Sequence, residues 1–278
     1  MRFTKMHGIG NDYIFVNCFD EFVQDPSRLS IVMSRPHFGV SSDGLVLIEP
    51  SDTADASMRM FNSDGSEAEM CGNAVRCIGK YMYERGLTKK TKISLETKGG
   101  YKYLWLNVED GVVTTVKADM GTPELNPQKI PVNLAGEAVL NHRLQVMGQT
   151  FYITCVNMGN PHAVIFVRDP EVIDLPTIGP IIEHHPLFPR RTKVEFVRVI
   201  KRDVLQMRVW ERGAGETLAC GTGACAALVA GVLTGVSDRA VQMKLTGGNL
   251  QLHWNPQDNH IYKTGPAAYV FDGEWFDT

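Results

Sequence analysis

Apolar positions along the chain fall into many short runs separated by Gly, Pro, Asn and Asp, with two longer runs among them. Runs of about four to eight residues rich in Val, Ile, Phe and Tyr, bounded by turn-forming residues, predict strands. In the first half they fall at 3–6, 13–17, 45–48, 58–61, 92–97, 101–107 and 112–118. In the second half they fall at 142–147, 150–157, 163–167, 194–200, 205–210, 240–245, 250–254, 261–264 and 268–271. The longer runs predict helices over 72–85 and 221–234. The second of these, Ala226-Ala227-Leu228-Val229-Ala230-Gly231-Val232-Leu233, is apolar and small throughout, as in a buried helix. It is too short to span a bilayer. A short helix is predicted at 26–33, and another with a loop in the Pro-rich stretch holding Pro176, Pro180, Pro186 and Pro189. Asp110-Gly111 signals a hairpin. Gly121-Thr122-Pro123 and Asn126-Pro127 suit a domain boundary.

The halves repeat each other. Cys71-Gly72 and Cys220-Gly221 stand at the starts of the two long helices, and 220 − 71 gives an offset of 149. At that offset Met58, Arg59, Glu67, Cys71 and Gly72 meet identical residues, and Gly10-Asn11 falls on Gly159-Asn160. Leu45-Val46-Leu47-Ile48 falls on Val194-Glu195-Phe196-Val197. The first helix ends near Gly86, and its counterpart is Gly235. One ungapped offset through separate segments implies two copies of one unit, each with a cysteine at a helix start.

The 278 residues suffice for two domains with ample core. A net charge of −3 and a pI near 6.2 indicate neither a nucleic-acid footprint nor a polybasic membrane patch. The first eight residues lack the apolar stretch of a signal peptide. The six cysteines form no CxxC and no zinc-like spacing with histidine. These features point to a cytoplasmic protein with reduced thiols, no metal, and no nucleic-acid or membrane partner.

A free cysteine is most often a small buried hydrophobe, and that reading suits Cys77, Cys155 and Cys225. It does not suit Cys71 and Cys220, which occupy matched positions at helix N-termini, where free N–H groups and the helix dipole favour a thiolate and hold a carboxylate. Two equivalent thiols suit inversion of a stereocentre: one removes a proton from one face of a carbon and the other protonates the opposite face. The Cα–H of an amino acid is a very weak acid, normally activated by a pyridoxal Schiff base, and no pyridoxal site is legible here. Helix N-terminal amides at Gly72, Asn73, Gly221 and Thr222 offer preorganised donors instead. Asn11, Asn62, Asn160, Glu211 and Arg212 lie at strand ends or loops around these helices. Each Asn alone could be a turn-former. In Gly159-Asn160-Pro161-His162, His162 could orient a thiol or a substrate ammonium, or be a solvated loop histidine. Gly221-Thr222-Gly223 is a weak nucleotide signal, with no strand–GxGxxG–helix unit around it.

Met70-Cys71-Gly72-Asn73-Ala74-Val75-Arg76-Cys77 and the stretch from Glu211-Arg212-Gly213 to Ala219-Cys220-Gly221-Thr222-Gly223-Ala224-Cys225 resemble the two signature motifs of the diaminopimelate epimerases. Lys5-Met6-His7-Gly8-Ile9-Gly10-Asn11-Asp12-Tyr13, Phe61-Asn62-Ser63-Asp64-Gly65-Ser66-Glu67 and Met158-Gly159-Asn160-Pro161-His162 resemble the family's other blocks. The resemblance spans essentially the whole chain. It implies a pyridoxal- and metal-independent isomerase that interconverts LL- and meso-diaminopimelate in lysine and peptidoglycan precursor synthesis. It implies an α+β fold of two pseudo-symmetric domains, 1–119 and 120–265. Each would be a mixed sheet wrapped around a central helix, with 266–278 returning to the first and the active site in the cleft between. It also implies a homodimer. Carried over by position, Cys71 and Cys220 are the acid/base pair. Gly72, Asn73, Gly221 and Thr222 bind the α-carboxylate. Asn11, Asn62, Asn160 and Arg212 hold the substrate, the distal carboxylate falling to Arg212. His162 and Glu211 tune the thiols or the ammonium.

Two positions depart from the family pattern. Arg191-Thr192-Lys193-Val194-Glu195-Phe196 carries Lys193 where the family usually has an Asn that contacts the distal end of the substrate, and Ala74 stands where a Gly is frequent. Turned inward, Lys193 would meet the distal carboxylate alongside Arg212; turned outward, it would be a solvated lysine. Lys193 keeps open a related cofactor-independent racemase of another amino acid, such as histidine or proline. A non-catalytic amino-acid-binding or thiol redox protein is the reading from another class. The absence of CxxC argues against the redox form, and the matched thiols argue against pure binding.

Overall fold

The computed structural model describes residues 1–276. The chain divides into two compact units, Met1–Asp119 together with a return that starts at Thr264, and Met120–Lys263. The sequence places that return at 266.

The first unit runs β1 (Arg2–Gly8), β2 (Asn11–Asn17), α1 (Pro26–Ser34), β3 (Gly44–Glu49), β4 (Ala56–Asn62), β5 (Glu67–Ala68), α2 (Gly72–Glu84), β6 (Lys92–Thr97), β7 (Lys102–Glu109) and β8 (Val112–Asp119). The second runs β9 (His142–Val146), β10 (Gln149–Asn157), β11 (Pro161–Phe166), a 3-10 turn at Pro170–Val172, α3 (Leu175–Glu183), β12 (Lys193–Lys201), β13 (Val204–Glu211), β14 (Gly215–Thr217), α4 (Gly221–Leu233), β15 (Ala240–Leu245), β16 (Gly248–Trp254) and the start of β17 (Ile261–Gly265), whose last two residues begin the return. The last strand, β18 (Ala268–Glu274), lies antiparallel to β1 in the first unit.

The two units share one plan. In the first, β1–β2 is antiparallel, β2–β3 parallel, β3–β4 antiparallel, β4–β6 parallel and β6–β7 antiparallel. The second repeats this as β10–β11, β11–β12, β12–β13, β13–β15 and β15–β16 with the same senses. Adding 149 to the bounds of α1 and α2 gives 175–183 and 221–233, the bounds of α3 and α4. The fold is α+β, with mixed sheets and few helices.

Each unit wraps its sheet around its long helix. α2 packs against β1, β2, β7 and β8, and α4 against β10, β11, β12 and β16. α4 is buried from Gly223 to Gly231, which its all-round small and apolar surface permits. A buried side chain such as Leu228 contributes about 1.5–3 kcal/mol. Gly86 and Gly235, with φ of 77° and 76°, end the two helices as left-handed caps.

The identities found at the 149 offset have a structural reason. Arg59 Nε donates to Glu67 Oε1 at 2.9 Å and Arg208 Nε to Glu216 Oε1 at 2.8 Å. Each pair ties a long strand (β4 or β13) to the short strand (β5 or β14) that delivers the chain to the cysteine. Met58 and Met207 lie in the core beneath.

Candidate active site

Both cysteines occupy the N-cap of their helix, in extended conformation, with φ/ψ of −127°/122° at Cys71 and −115°/111° at Cys220. A cysteine here places its sulfur beside the first helical amides, and glycine as the next residue leaves those amides open to a close ligand. The other helix cysteines, Cys77 and Cys225, are buried, as is Cys155 on β10; burial pushes the Cys77 thiol up to about 12.

In the first unit, Cys71 Sγ donates to Asn11 Oδ1 at 3.3 Å, and Asn73 Nδ2 donates to the same oxygen at 3.1 Å. Asn11 is oriented by its own amide nitrogen, which donates to Asp43 Oδ2 at 2.7 Å and to the Tyr13 hydroxyl at 3.4 Å. Arg76, wholly buried one turn along α2, fixes Asn73 by donating to its Oδ1 at 2.9 Å. Tyr13 is held protonated, burial being the main cause and Cys71 the next.

In the second unit, Cys220 Sγ accepts from the Gly223 amide at 3.3 Å and lies 3.5 Å from Thr222 Oγ1. Lys193 Nζ donates to the same sulfur at 3.6 Å and is ion-paired with Glu211, whose other oxygen accepts from Thr217 Oγ1 at 2.7 Å. Burial pushes the Cys220 thiol up to about 12, with Glu211 adding to the rise and Lys193 opposing it. Burial alone would raise Glu211, but Lys193 overrides it and holds that carboxyl below the usual range. Burial would lower Lys193, but Cys220 and Glu211 together raise it. Each member of the pair thus favours the other's charged form, while burial favours the Cys220 thiol over its thiolate.

Behind this cluster His162 is wholly buried. Its Nδ1 lies 2.7 Å from Glu195 Oε1 and its Nε2 2.6 Å from Asn160 Oδ1. It is a strand residue locked in a chain of polar groups, not a solvated loop histidine, and it bears on the helix start through Glu195 rather than on the thiol directly. Asn62 directs its amide to Ser66 Oγ at 3.0 Å, and Arg212, exposed, donates to the Arg190 carbonyl at 3.1 Å. Thus Asn11 and Asn73 gather at Cys71, and Lys193, Glu211 and Thr222 at Cys220, while Asn62, Asn160 and Arg212 engage other partners. Of the two orientations open to Lys193, the inward one is found. Its side chain is 15% exposed and turned inward onto Glu211 and the thiol, so it is not a solvated lysine.

Comparison with known proteins accords with this pattern. The family model described as diaminopimelate epimerase matches residues 3–126 and 154–270. The chain belongs to the diaminopimelate epimerase family. It is 60% identical to the diaminopimelate epimerase of Acetivibrio thermocellus over 274 residues, covering 99% of this chain and 98% of that one. It is 54% identical to the enzymes of that name from Desulfovibrio desulfuricans and Methanococcus maripaludis, with 98% and 99% of their lengths covered. Among solved structures, a probable proline racemase from Agrobacterium radiobacter superposes with a TM-score of 0.73 at 13% identity, covering 99% of this chain and 92% of that one. A hydroxyproline epimerase from Agrobacterium vitis gives 0.69 at 14%, covering 98% and 90%. At such identities these two show the shared fold alone.

The sequence of this diaminopimelate epimerase family member conceals several residues of the site. Glu195, Asp43 and Tyr13 each anchor a predicted site residue, and none stands out, Glu195 and Tyr13 within strands and Asp43 in the bend before β3. The offset of 149 carries one signal: buried Glu195 falls on buried Val46, an acid where the first unit has a core aliphatic. Glu183 is equally inconspicuous in the sequence. Buried at the end of α3, it accepts from Trp210 Nε1 at 2.8 Å and from the Gly213 amide at 3.1 Å, and so holds the end of β13, with Glu211, and the turn that follows it, with Arg212.

Proposed function

We propose that the chain is a diaminopimelate epimerase that inverts one α-carbon of diaminopimelate by proton transfer through Cys71 and Cys220, without pyridoxal, as a cytoplasmic homodimer in lysine biosynthesis. One observation carries the reading: full-length identity of 60% to a protein of that name, with both cysteines at helix N-caps. One thiolate takes the Cα proton, the electron pair passes into the enolate of the α-carboxylate, and the other thiol delivers a proton to the opposite face. The amides of Gly72, Asn73, Gly221 and Thr222 meet that carboxylate as its charge grows; a donor of this kind is worth ~3–4 kcal/mol. Glycine at two of these four positions allows the approach.

Asn11, Asn62, Asn160 and Arg212 hold the remainder of the substrate, Arg212 taking the distal carboxylate after leaving the Arg190 carbonyl, an ion pair replacing a bond to a neutral acceptor. Glu211 and His162 support the Cys220 side. The test is proton NMR in heavy water with LL-diaminopimelate, L-histidine and L-proline supplied separately. Deuterium at Cα with formation of the meso isomer from diaminopimelate alone supports the reading; exchange of histidine or proline without diaminopimelate turnover refutes it.

A further inference from the structure

Among the described residues the first unit has no counterpart of the Lys193–Glu211 ion pair at the matching positions. At the 149 offset Lys193 meets Gly44 and Glu211 meets Asn62, both uncharged. No side chain fits at Gly44, where a Cβ would lie 2.0 Å from the Phe61 carbonyl oxygen. Cys71 accordingly gives its hydrogen bond to a neutral amide, whereas Cys220 receives one from an ammonium. Burying a lysine is unfavourable unless its charge is matched. Glu211 matches it, yet the pair is placed against a thiol.

We propose that Lys193 is the counter-ion of the Cys220 thiolate, held at the sulfur by Glu211, and thereby a positioning residue for one of the two proton-transfer steps. The proposal rests on the reading of Cys220 as an acid/base group. When Cys220 takes the Cα proton, the S–H bond forms, the C–H bond breaks and the electron pair stays with the carbon. In the opposite direction the thiol gives up its proton and is left as thiolate. That thiolate forms beside the Glu211 carboxylate, and two anions in contact disfavour each other. The Lys193 ammonium offsets this. The other groups facing the sulfur are the Gly223 amide and the Thr222 hydroxyl on α4. On β12, Glu195 lies against Gly223, and among the described residues its Oε2 has no hydrogen-bond partner. His162 on β11 faces Glu195. Lys193 is thus the one cationic side chain of this set in contact with the sulfur, and removing its charge leaves the thiolate beside the Glu211 carboxylate with only the neutral Gly223 and Thr222 donors to offset it.

The test is the pH dependence of iodoacetamide alkylation of Cys220, followed by peptide mass spectrometry with Cys71 as the control in the same molecule. Lys193→Met is expected to slow Cys220 alkylation at least tenfold near pH 8 and to move its profile up by about a unit or more. Cys71 should stay within twofold, and Lys193→Arg should keep the wild-type profile. An unmoved Cys220 profile in folded Lys193→Met, or equal slowing at both cysteines, overturns the proposal. Should Lys193→Met fail to fold, Glu211→Gln gives the converse reading: with the anion removed the Cys220 profile should move down, and an unmoved profile overturns the proposal. Alkylation needs no substrate, so failure of the diaminopimelate assignment would appear in the heavy-water experiment and not here.

Discussion

Gly223→Ala is the substitution whose outcome the geometry constrains most tightly. A Cβ at Gly223 would lie 2.6 Å from Glu195 Oε1, 3.2 Å from Glu195 Cγ and 3.3 Å from Cys220 Cβ. Glu195 is wholly buried and held by His162 at 2.7 Å, so it has nowhere to swing. Overpacking of this kind costs about 1–3 kcal/mol. Replacing a helical glycine by alanine returns at most about 1 kcal/mol. The first unit shows the alternative solution: at the 149 offset Gly223 meets Ala74 and Glu195 meets Val46, and both of those are buried. In a Glu195→Val background the carboxylate is gone, and Gly223→Ala should be neutral or stabilising. The two backgrounds should differ by about 1–3 kcal/mol in the effect of one methyl group, an interaction energy typical of residues in contact. Thermal melts of wild type, both single variants and the double variant measure it, at about 2–4 °C per kcal/mol for chains of roughly this length. Gly223→Ala should lower Tm in wild type and leave it unchanged or raised in the Glu195→Val background. An equal change in both backgrounds would refute the reasoning.

Glu183→Ala removes the acceptor for Trp210 Nε1 and the Gly213 amide. It should cost about 1–3 kcal/mol of stability, and a displacement of about 1 Å at the end of β13, with Glu211, should lower kcat/KM on the order of 100-fold; a Tm and rate equal to wild type would argue against an anchoring role. Cys77→Ala should keep activity and lose at most a few kcal/mol in a melt, because its thiol is core packing; loss of turnover in folded Cys77→Ala would count against its exclusion from the chemistry. Acid should unfold the protein through its paired carboxylates. Glu211, Asp55 and Asp272 are held below their usual range: burial alone would raise all three, but Lys193 prevails at Glu211, Lys90 with Ser94 at Asp55, and Thr4 with Arg85 at Asp272. Stability from a depressed carboxyl is complete above its unfolded value, about 4, and is lost as pH falls through the folded value. A Tm that falls from pH 5 to pH 3 is expected, and a flat profile there would contradict it.

The two long helices and most strands were legible because duplication shows each pattern twice. The strands Glu67–Ala68 and Gly215–Thr217 were not, since so few residues beside glycines cannot display alternation. Both are held by an Arg–Glu pair whose residues appeared in the sequence only as unexplained identities. The thiols were legible from position alone. Their surroundings were not: where Lys193 points is decided by Glu211, which is adjacent in the β12–β13 hairpin but 18 residues away in sequence. Glu195 was hidden for a related reason, because a polar residue within a strand pattern gives no sign of facing inward until its partner, His162, is seen beside it.

The most direct measurement follows Cα of LL-diaminopimelate in heavy water with wild type, Cys71→Ala and Cys220→Ala. Wild type should form meso-diaminopimelate carrying deuterium at the inverted carbon. Each variant should fail to form it, because neither face alone completes the inversion. Near-wild-type formation of the meso isomer by either alanine variant would contradict the two-thiol account.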